Sequence, residues 1–234
     1  MSVRRATVQT FDALVSRPFA DGINALCWTR TLTGDFDEVA RLLAAPLMDP
    51  DSDGVRAVAP EDLVALDLSP AGRAAADHML EDLRRLDALG HAPVLNCITR
   101  YPSDERGLAV ATDVMSFHVD RSPVEVDTWL CTYHGKSSEG LDNDDAVRRV
   151  DAPEIRAALL KDYGGPDDDG FAAFLREGSF DLHYAAVAGA EPFTFGVAHL
   201  WRIAVAWPGA PVPPCIHRAP RALEGDPPRL LLIC

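Results

Sequence analysis

The stretch Arg229-Leu230-Leu231-Leu232-Ile233 sets the tightest limit on what this chain can fold into. It is short and apolar, follows a loop over residues 218–228, and reads as a strand. Side chains alternate along a strand, which puts Arg229, Leu231 and Ile233 on one face and Leu230 and Leu232 on the other. Both faces are apolar, so the strand needs cover on both sides, as an inner strand of a sandwich has. It also opens on a cation, and a buried cation costs free energy unless it meets an anion. Glu224 and Asp226 in the preceding loop are the structural candidates for that anion, and a bound carboxylate is the alternative.

The chain ahead of this strand divides by hydrophobic period. Residues 35–47 carry Phe36, Val39, Leu42, Leu43 and Leu47 close to helical spacing, with Pro46 marking the end. Ser69 and Pro70 open a second helix as N-cap and first-turn proline. Its buried stripe reads Ala74, Ala75, His78, Met79, Leu83, Leu86 and Leu89, and Gly90 closes it. Residues 24–30 are short and apolar enough for a strand. Residues 49–54 resemble a calcium loop only superficially and are expected to form a solvated turn, because the rest of the ligand pattern is missing.

From His91 the period changes. Residues 93–101, 108–118, 124–134, 184–189, 193–198 and 200–207 read as strands. Residues 135–145 are polar and carry glycine, and read as a flexible loop over a site. Residues 151–163 read as a helix or pair of turns, and 171–176 as one more helical turn. The expectation is an α+β fold, with a mainly helical N-terminal lobe (residues 1–90) packed on a β-core (residues 91–234). Many short strands with turn signals point to a sandwich or barrel for that core.

The net charge of -14 argues against a nucleic-acid partner, since phosphate binding rests on a basic patch. Five cysteines (Cys27, Cys97, Cys131, Cys215 and Cys234) without C-x-x-C spacing read as free thiols in a reducing compartment. The opening Met1-Ser2-Val3-Arg4-Arg5 is not followed by an apolar run, and no stretch approaches membrane-spanning length. A cytoplasmic protein with no membrane partner is expected. No G-x-S-x-G elbow and no phosphate-cradling glycine motif is present, which disfavours a serine hydrolase or a nucleotide enzyme.

The chemistry points to Ser116-Phe117-His118-Val119-Asp120 and Cys215-Ile216-His217-Arg218. On a strand, His118 and Asp120 project to one face. His217, arriving from a distant strand, would complete a two-His-one-carboxylate triad that leaves positions open on Fe(II) for oxygen. H-x-D alone is a weak signal. His134, His183 and His199 are alternative ligands that read as structural or exposed, and His78 reads as a boundary residue of its helix. Trp129 and Tyr133 share one parity on the strand near 130. Tyr133 is favoured over Thr132 as a cosubstrate partner, and Trp129 as a pocket wall.

The order H-x-D, long insert, distal His217 and then Arg229 resembles that of Fe(II)/2-oxoglutarate-dependent oxygenases. More narrowly, Phe117-His118-Val119-Asp120, Leu130-Cys131-Thr132-Tyr133-His134-Gly135, His217-Arg218-Ala219-Pro220 and Arg229-Leu230-Leu231-Leu232 resemble motifs of the bacterial family named domain of unknown function 1826. The likeness covers roughly residues 93–234. It departs at Lys136-Ser137-Ser138-Glu139-Gly140-Leu141, where that family tends to have P-G-T-E-W-L, so the substrate pocket is expected to differ. The resemblance implies a double-stranded β-helix (jelly-roll, cupin-like) core and a mononuclear site, with Fe(II) on His118, Asp120 and His217. It also implies that Arg229 holds the far carboxylate of 2-oxoglutarate. Arg218 either binds a carboxylate of a small, amino-acid-like substrate that is oxidised with O2 by hydrogen abstraction, or braces the site through a salt bridge to one of the chain's many acids. Two other classes stay open: a cupin-like iron enzyme that binds substrate directly without 2-oxoglutarate, and a non-catalytic zinc-binding or sensing module. The oligomeric state is not legible.

Overall fold

The computed structural model describes residues 5–49, 52–104, 106–223 and 225–234. Residues 1–4, where the chain was read for a leader, Pro50 and Asp51 of the acidic turn, and Glu224 lie outside the described residues. In chain order the first elements are β1 (Arg5–Val8), α1 (Phe11–Ser16), β2 (Ala25–Trp28), α2 (Phe36–Ala44), β3 (Val55–Val58), α3 (Pro60–Ala65), α4 (Pro70–Asp87) and β4 (Val94–Ile98). Then come β5 (Asp127–His134), β6 (Glu139–Leu141), β7 (Ala146–Arg148), α5 (Pro153–Tyr163), α6 (Asp169–Glu177), β8 (Tyr184–Ala186), β9 (Phe193–Thr194), β10 (Leu200–Ala204), β11 (Ile216–Arg218) and β12 (Arg229–Ile233).

The architecture is α+β: a large, mostly antiparallel sheet with helices, whose described strands do not close into a barrel. The main sheet has the order β1-β2-β10-β5-β12-β4-β3, and only the β1/β2 pair is parallel. As its two apolar faces require, β12 lies inside this sheet, between β5 and β4. Leu230 and Leu232 join a core with Leu43, Met79 and Leu86 of the helices, while Leu231 joins a second core with Ile98, Leu130, Phe195 and Trp201. A fully buried leucine contributes about 1.5–3 kcal/mol, so this one strand ties two layers together. A small sheet, β11-β6-β9, and the β7-β8 pair complete the strands.

Helices α2 and α4 begin where side-chain caps start them. Asp35 accepts from the Glu38 amide at 2.9 Å and Ser69 from the Gly72 amide at 3.0 Å, satisfying donors that the first turn leaves open. The inner face of α4 carries Ala75, Ala76, Met79, Leu83 and Leu86, but Ala74 and His78 are half-buried and Leu89 is exposed. Its stripe also includes Asp82, 1% exposed. Arg30 binds that carboxylate in bidentate fashion, with Nη1 to Oδ1 at 2.7 Å, and Tyr133 donates to Oδ2 at 2.7 Å. The network fastens α4 to the sheet.

Among the described residues, the first ninety hold four α-helices and also three strands of the main sheet, β1, β2 and β3. Helices and sheet therefore share strands as well as a packing face. In β2, Leu26 faces the helices, while Ala25 and Cys27 face the second core, so this segment is covered on both sides like β12. All five cysteines are free, and burial pushes Cys27 and Cys131 up to about 12 and Cys97 to about 11. No described helix is long and apolar enough to cross a membrane.

Two expected elements differ. Residues 108–118 form no strand; only His118 pairs, as an isolated bridge. The Asp104 carboxylate takes the Thr112 amide at 2.9 Å, and Asp113 takes the Met115 and Ser116 amides at 3.1 Å each. Such local bonds compete with a sheet ladder for the same donors. Conversely, residues 135–145 are not an open loop: β6 within them is the middle strand of the small sheet.

One glycine ties α2 to α4 by close approach. Gly34 sits at φ +130, and a Cβ there would lie 2.6 Å from the Ala75 nitrogen and 2.9 Å from the Ala71 oxygen. Gly34→Ala is expected to destabilise the fold on the order of 1–3 kcal/mol. Urea unfolding followed by circular dichroism checks this, and an unchanged midpoint would refute the close-approach argument.

Candidate metal centre

The isolated pairing of His118 explains how a histidine and a distant strand meet. His118 and His217 exchange both main-chain hydrogen bonds at 2.9 Å, a hydrogen-bonded antiparallel pair. Their rings lie with centroids 4.6 Å apart. Two residues on, Asp120 comes within 3.8 Å of His217 Nε2 through Oδ2. One ligand atom from each of the three lies within 4.8 Å of the others, so the group can hold a metal ion.

Each donor is oriented by a neighbour. A carbonyl can only accept, so His118 Nδ1 donates to the Ser116 oxygen at 2.7 Å and His217 Nδ1 to the Cys215 oxygen at 3.3 Å. Both rings thereby keep Nε2 as the metal-facing atom, the arrangement that fixes tautomer and aim in metal sites. Asp120 Oδ2 accepts from Thr128 Oγ1 at 2.5 Å. Burial, with His217 beside it, pushes His118 below the ordinary histidine range, which favours the neutral form that ligates.

Two members of the triad, His118 and Asp120, line a cleft of about 300 Å³ together with Thr112, Asp113, Ser179 and His183. Sequence reasoning set His183 aside. It is 4% exposed, its ring centroid lies 5.7 Å from that of His118, and its Nδ1 has no hydrogen-bond partner among the described residues. Burial pushes it down to about 4. Nothing in its local sequence, Leu182-His183-Tyr184, signals this position. His134 donates through Nδ1 to the Pro228 oxygen and His199 accepts from the Arg30 amide, so both serve the framework.

Arg229 is 4% exposed and meets only neutral partners: Tyr101 at 2.5 Å, Thr132 at 3.0 Å and Ser138 at 2.7 Å. Its Nε is buried without a partner, and among the described residues no carboxylate pairs with it. Asp226, one of the two expected competitors, pairs instead with Lys136 at 2.7 Å. Desolvation pushes the Arg229 guanidinium below its ordinary range. Here is a cation kept in the interior with donors to spare.

The strand β5 connects this cation to the triad. Thr128 binds Asp120 and Thr132 binds Arg229. Equal parity puts the two threonines on one face, and the four-residue separation spans about 13 Å.

Three expected site residues lie elsewhere or are occupied. Tyr133 faces the helices, donates to Asp82 and stacks on Phe36 at 5.9 Å. Trp129 shares that face and packs near Phe11 and His91. Their parity is the helix-facing one, so Thr132, the residue passed over, is the one that touches Arg229. Arg218 is engaged by Glu139, with Nε at 2.8 Å, and stands over the Phe117 ring at 4.2 Å. It is not free to receive a substrate carboxylate.

Comparison of the chain with family models, curated proteins and solved structures gives no match.

Proposed function

We propose that the chain is a cytoplasmic, mononuclear non-haem Fe(II) oxygenase that uses 2-oxoglutarate, built on a jelly-roll core. The observation that carries this reading is Arg229, a buried cation with an orphan Nε, no anion among its described partners, and a hydrogen bond to Thr132 on the β5 face whose Thr128 binds Asp120. The donor set of two imidazoles and a carboxylate suits Fe(II) and leaves positions open. When bound, Fe(II) and 2-oxoglutarate would supply oxygen activation and hydrogen abstraction. His118, Asp120 and His217 would hold the ion, and Arg229, with Tyr101, Thr132 and Ser138 around it, would hold the far carboxylate of the cosubstrate.

The jelly-roll reading is supported by how the chain alternates between sheets. β4, β5, β10 and β12 are neighbours in the main sheet as β4-β12-β5-β10, while His118, β6, β9 and β11 line up as His118-β11-β6-β9. The likeness to the domain of unknown function 1826 is proposed on its motifs alone. A cytoplasmic location fits free thiols, and the acidic balance fits a small-molecule substrate rather than nucleic acid.

The test is anaerobic addition of Fe(II) and 2-oxoglutarate, followed by oxygen. A weak visible charge-transfer band and oxygen uptake coupled to succinate formation are expected. Oxygen uptake without dependence on 2-oxoglutarate would favour the cupin-like enzyme. A site that takes zinc and shows no turnover would favour the sensing module. Asp120→Ala is expected to weaken metal binding by about a hundredfold or more, while circular dichroism of the metal-free protein stays as in the wild type. Loss of the fold in that variant would mark the triad as structural.

A further inference from the structure

Resting on the metal-centre reading above, we propose that the substrate is an amine with an apolar tail, its head held by Asp113 and His183 and its tail seated along Trp207. The charges in the cleft argue for the head. Arg121 is the one cation among the residues lining the cleft, and it is spent: Nη1 pairs with Asp181 at 2.9 Å and Nη2 donates to the Arg176 oxygen at 2.8 Å. Arg218 is held by Glu139. In the metal-free cleft a carboxylate substrate would therefore meet Asp113 with no unpaired Arg or Lys among the lining residues to offset the repulsion, and a bound ion's charge would be met first by Asp120.

Asp113 retains capacity for a donor. Its Oδ1 takes the Met115 and Ser116 amides and the Ser116 hydroxyl, whereas among the described residues Oδ2 has only a long 3.4 Å contact from the Asp104 amide. The independent sign of a ligand is His183. It is almost wholly buried, it lines the same cleft, and its Nδ1 has no partner among the described residues. Buried polar groups are nearly always paired in native proteins, so this nitrogen, shut off from solvent on a residue that lines an open cleft, would meet a ligand's polar group through a turn of the ring.

The tail is argued from a second cavity of about 510 Å³ that shares Arg121 with the cleft. Ser122, Pro123, Ala206, Trp207 and Pro208 line the rest of it. The Ala206 amide donates to the Asp120 main-chain oxygen at 2.8 Å, and the Ser122 amide donates to the Ala206 oxygen at 2.9 Å. The apolar trough is thus built onto the residue that supplies the carboxylate ligand. An indole with prolines on either side suits a flat or alkyl group.

Three probes test this: 4-phenylbutylamine, 4-phenylbutyrate and n-butylamine, titrated by calorimetry into metal-free and Co(II)-loaded full-length protein. The aromatic amine is expected to bind at least tenfold tighter than the carboxylate of equal tail. Asp113→Asn should reduce that preference at least fivefold. Trp207→Ala should weaken 4-phenylbutylamine at least fivefold while leaving n-butylamine within twofold, and His183→Gln should weaken both amines. The wild-type comparison needs no variant, so a misfolded Asp113→Asn protein does not rescue the idea. Equal or tighter binding of the carboxylate overturns it, as does failure of the aromatic amine to bind or its indifference to Trp207→Ala. Failure of Co(II) to bind the wild type counts against the metal centre instead, and the metal-free titrations still decide the amine.

Discussion

On the 2-oxoglutarate reading proposed above, Arg229→Met is expected to weaken binding of that cosubstrate sharply and to cost nothing in stability. In the wild type the guanidinium has left water for three neutral partners, with one nitrogen unbonded. An uncompensated buried charge opposes folding, and an apolar side chain of similar length removes that cost. The unfolding midpoint should therefore stay level or rise. Binding moves the other way, because a charge-assisted, two-pronged contact to a carboxylate is worth about 2–4 kcal/mol in such a setting. The affinity should fall by about 30-fold to 1,000-fold, with metal affinity within twofold. Calorimetry on Zn(II)-loaded protein reads both without turnover. Cosubstrate affinity within threefold of wild type would remove Arg229 from the site. A large loss of stability would make it a structural cation.

Asp82→Ala is expected to produce the largest loss of stability. The carboxylate is buried, receives both guanidinium prongs of Arg30, and accepts the Tyr133 hydroxyl. Removing it strands a nearly buried cation and a buried phenol together. Breaking a buried pair from one side costs about 3–5 kcal/mol, and for a domain of this size the thermal midpoint should fall on the order of 10 °C. Arg30→Met combined with Asp82→Leu should recover much of the loss, since no lone charge remains. Thermal unfolding of the two proteins decides it: a single-variant cost under about 1 kcal/mol would mean that the pair is a bystander.

Where strand and helix signals were local, the sequence was a good guide. The two apolar faces of β12 demanded an interior place, and Ser69 with Pro70 marked the start of α4. The triad's spacing was legible too, because period-two geometry puts His118 and Asp120 on one face whatever the rest does. What escaped was decided by partners far away. Whether Thr132 or Tyr133 faces Arg229 depends on which side of β5 the helices choose, and β5 is apolar enough on both. Asp82 was overlooked although it stands three residues after Met79 and four before Leu86, squarely in the buried stripe of α4. An acid at such a position asks for a buried base. Residues 108–118 carried strand-like hydrophobicity, but Asp104 and Asp113 captured their amides, a contest that hydrophobic pattern does not register.

The position of β12 has a consequence for how the protein folds. It follows every other described strand in the chain, yet it lies between β4 and β5 at the middle of the main sheet. Until β12 pairs, the β3-β4 pair and the β1-β2-β10-β5 group have no strand between them, and each offers a bare edge. Bare edges invite pairing with other chains. Sheets joined by such distant pairings form slowly, because the loop entropy is lost before the contacts are gained. Refolding from denaturant should therefore be slow, and its yield should fall as protein concentration rises more steeply than the final stability suggests.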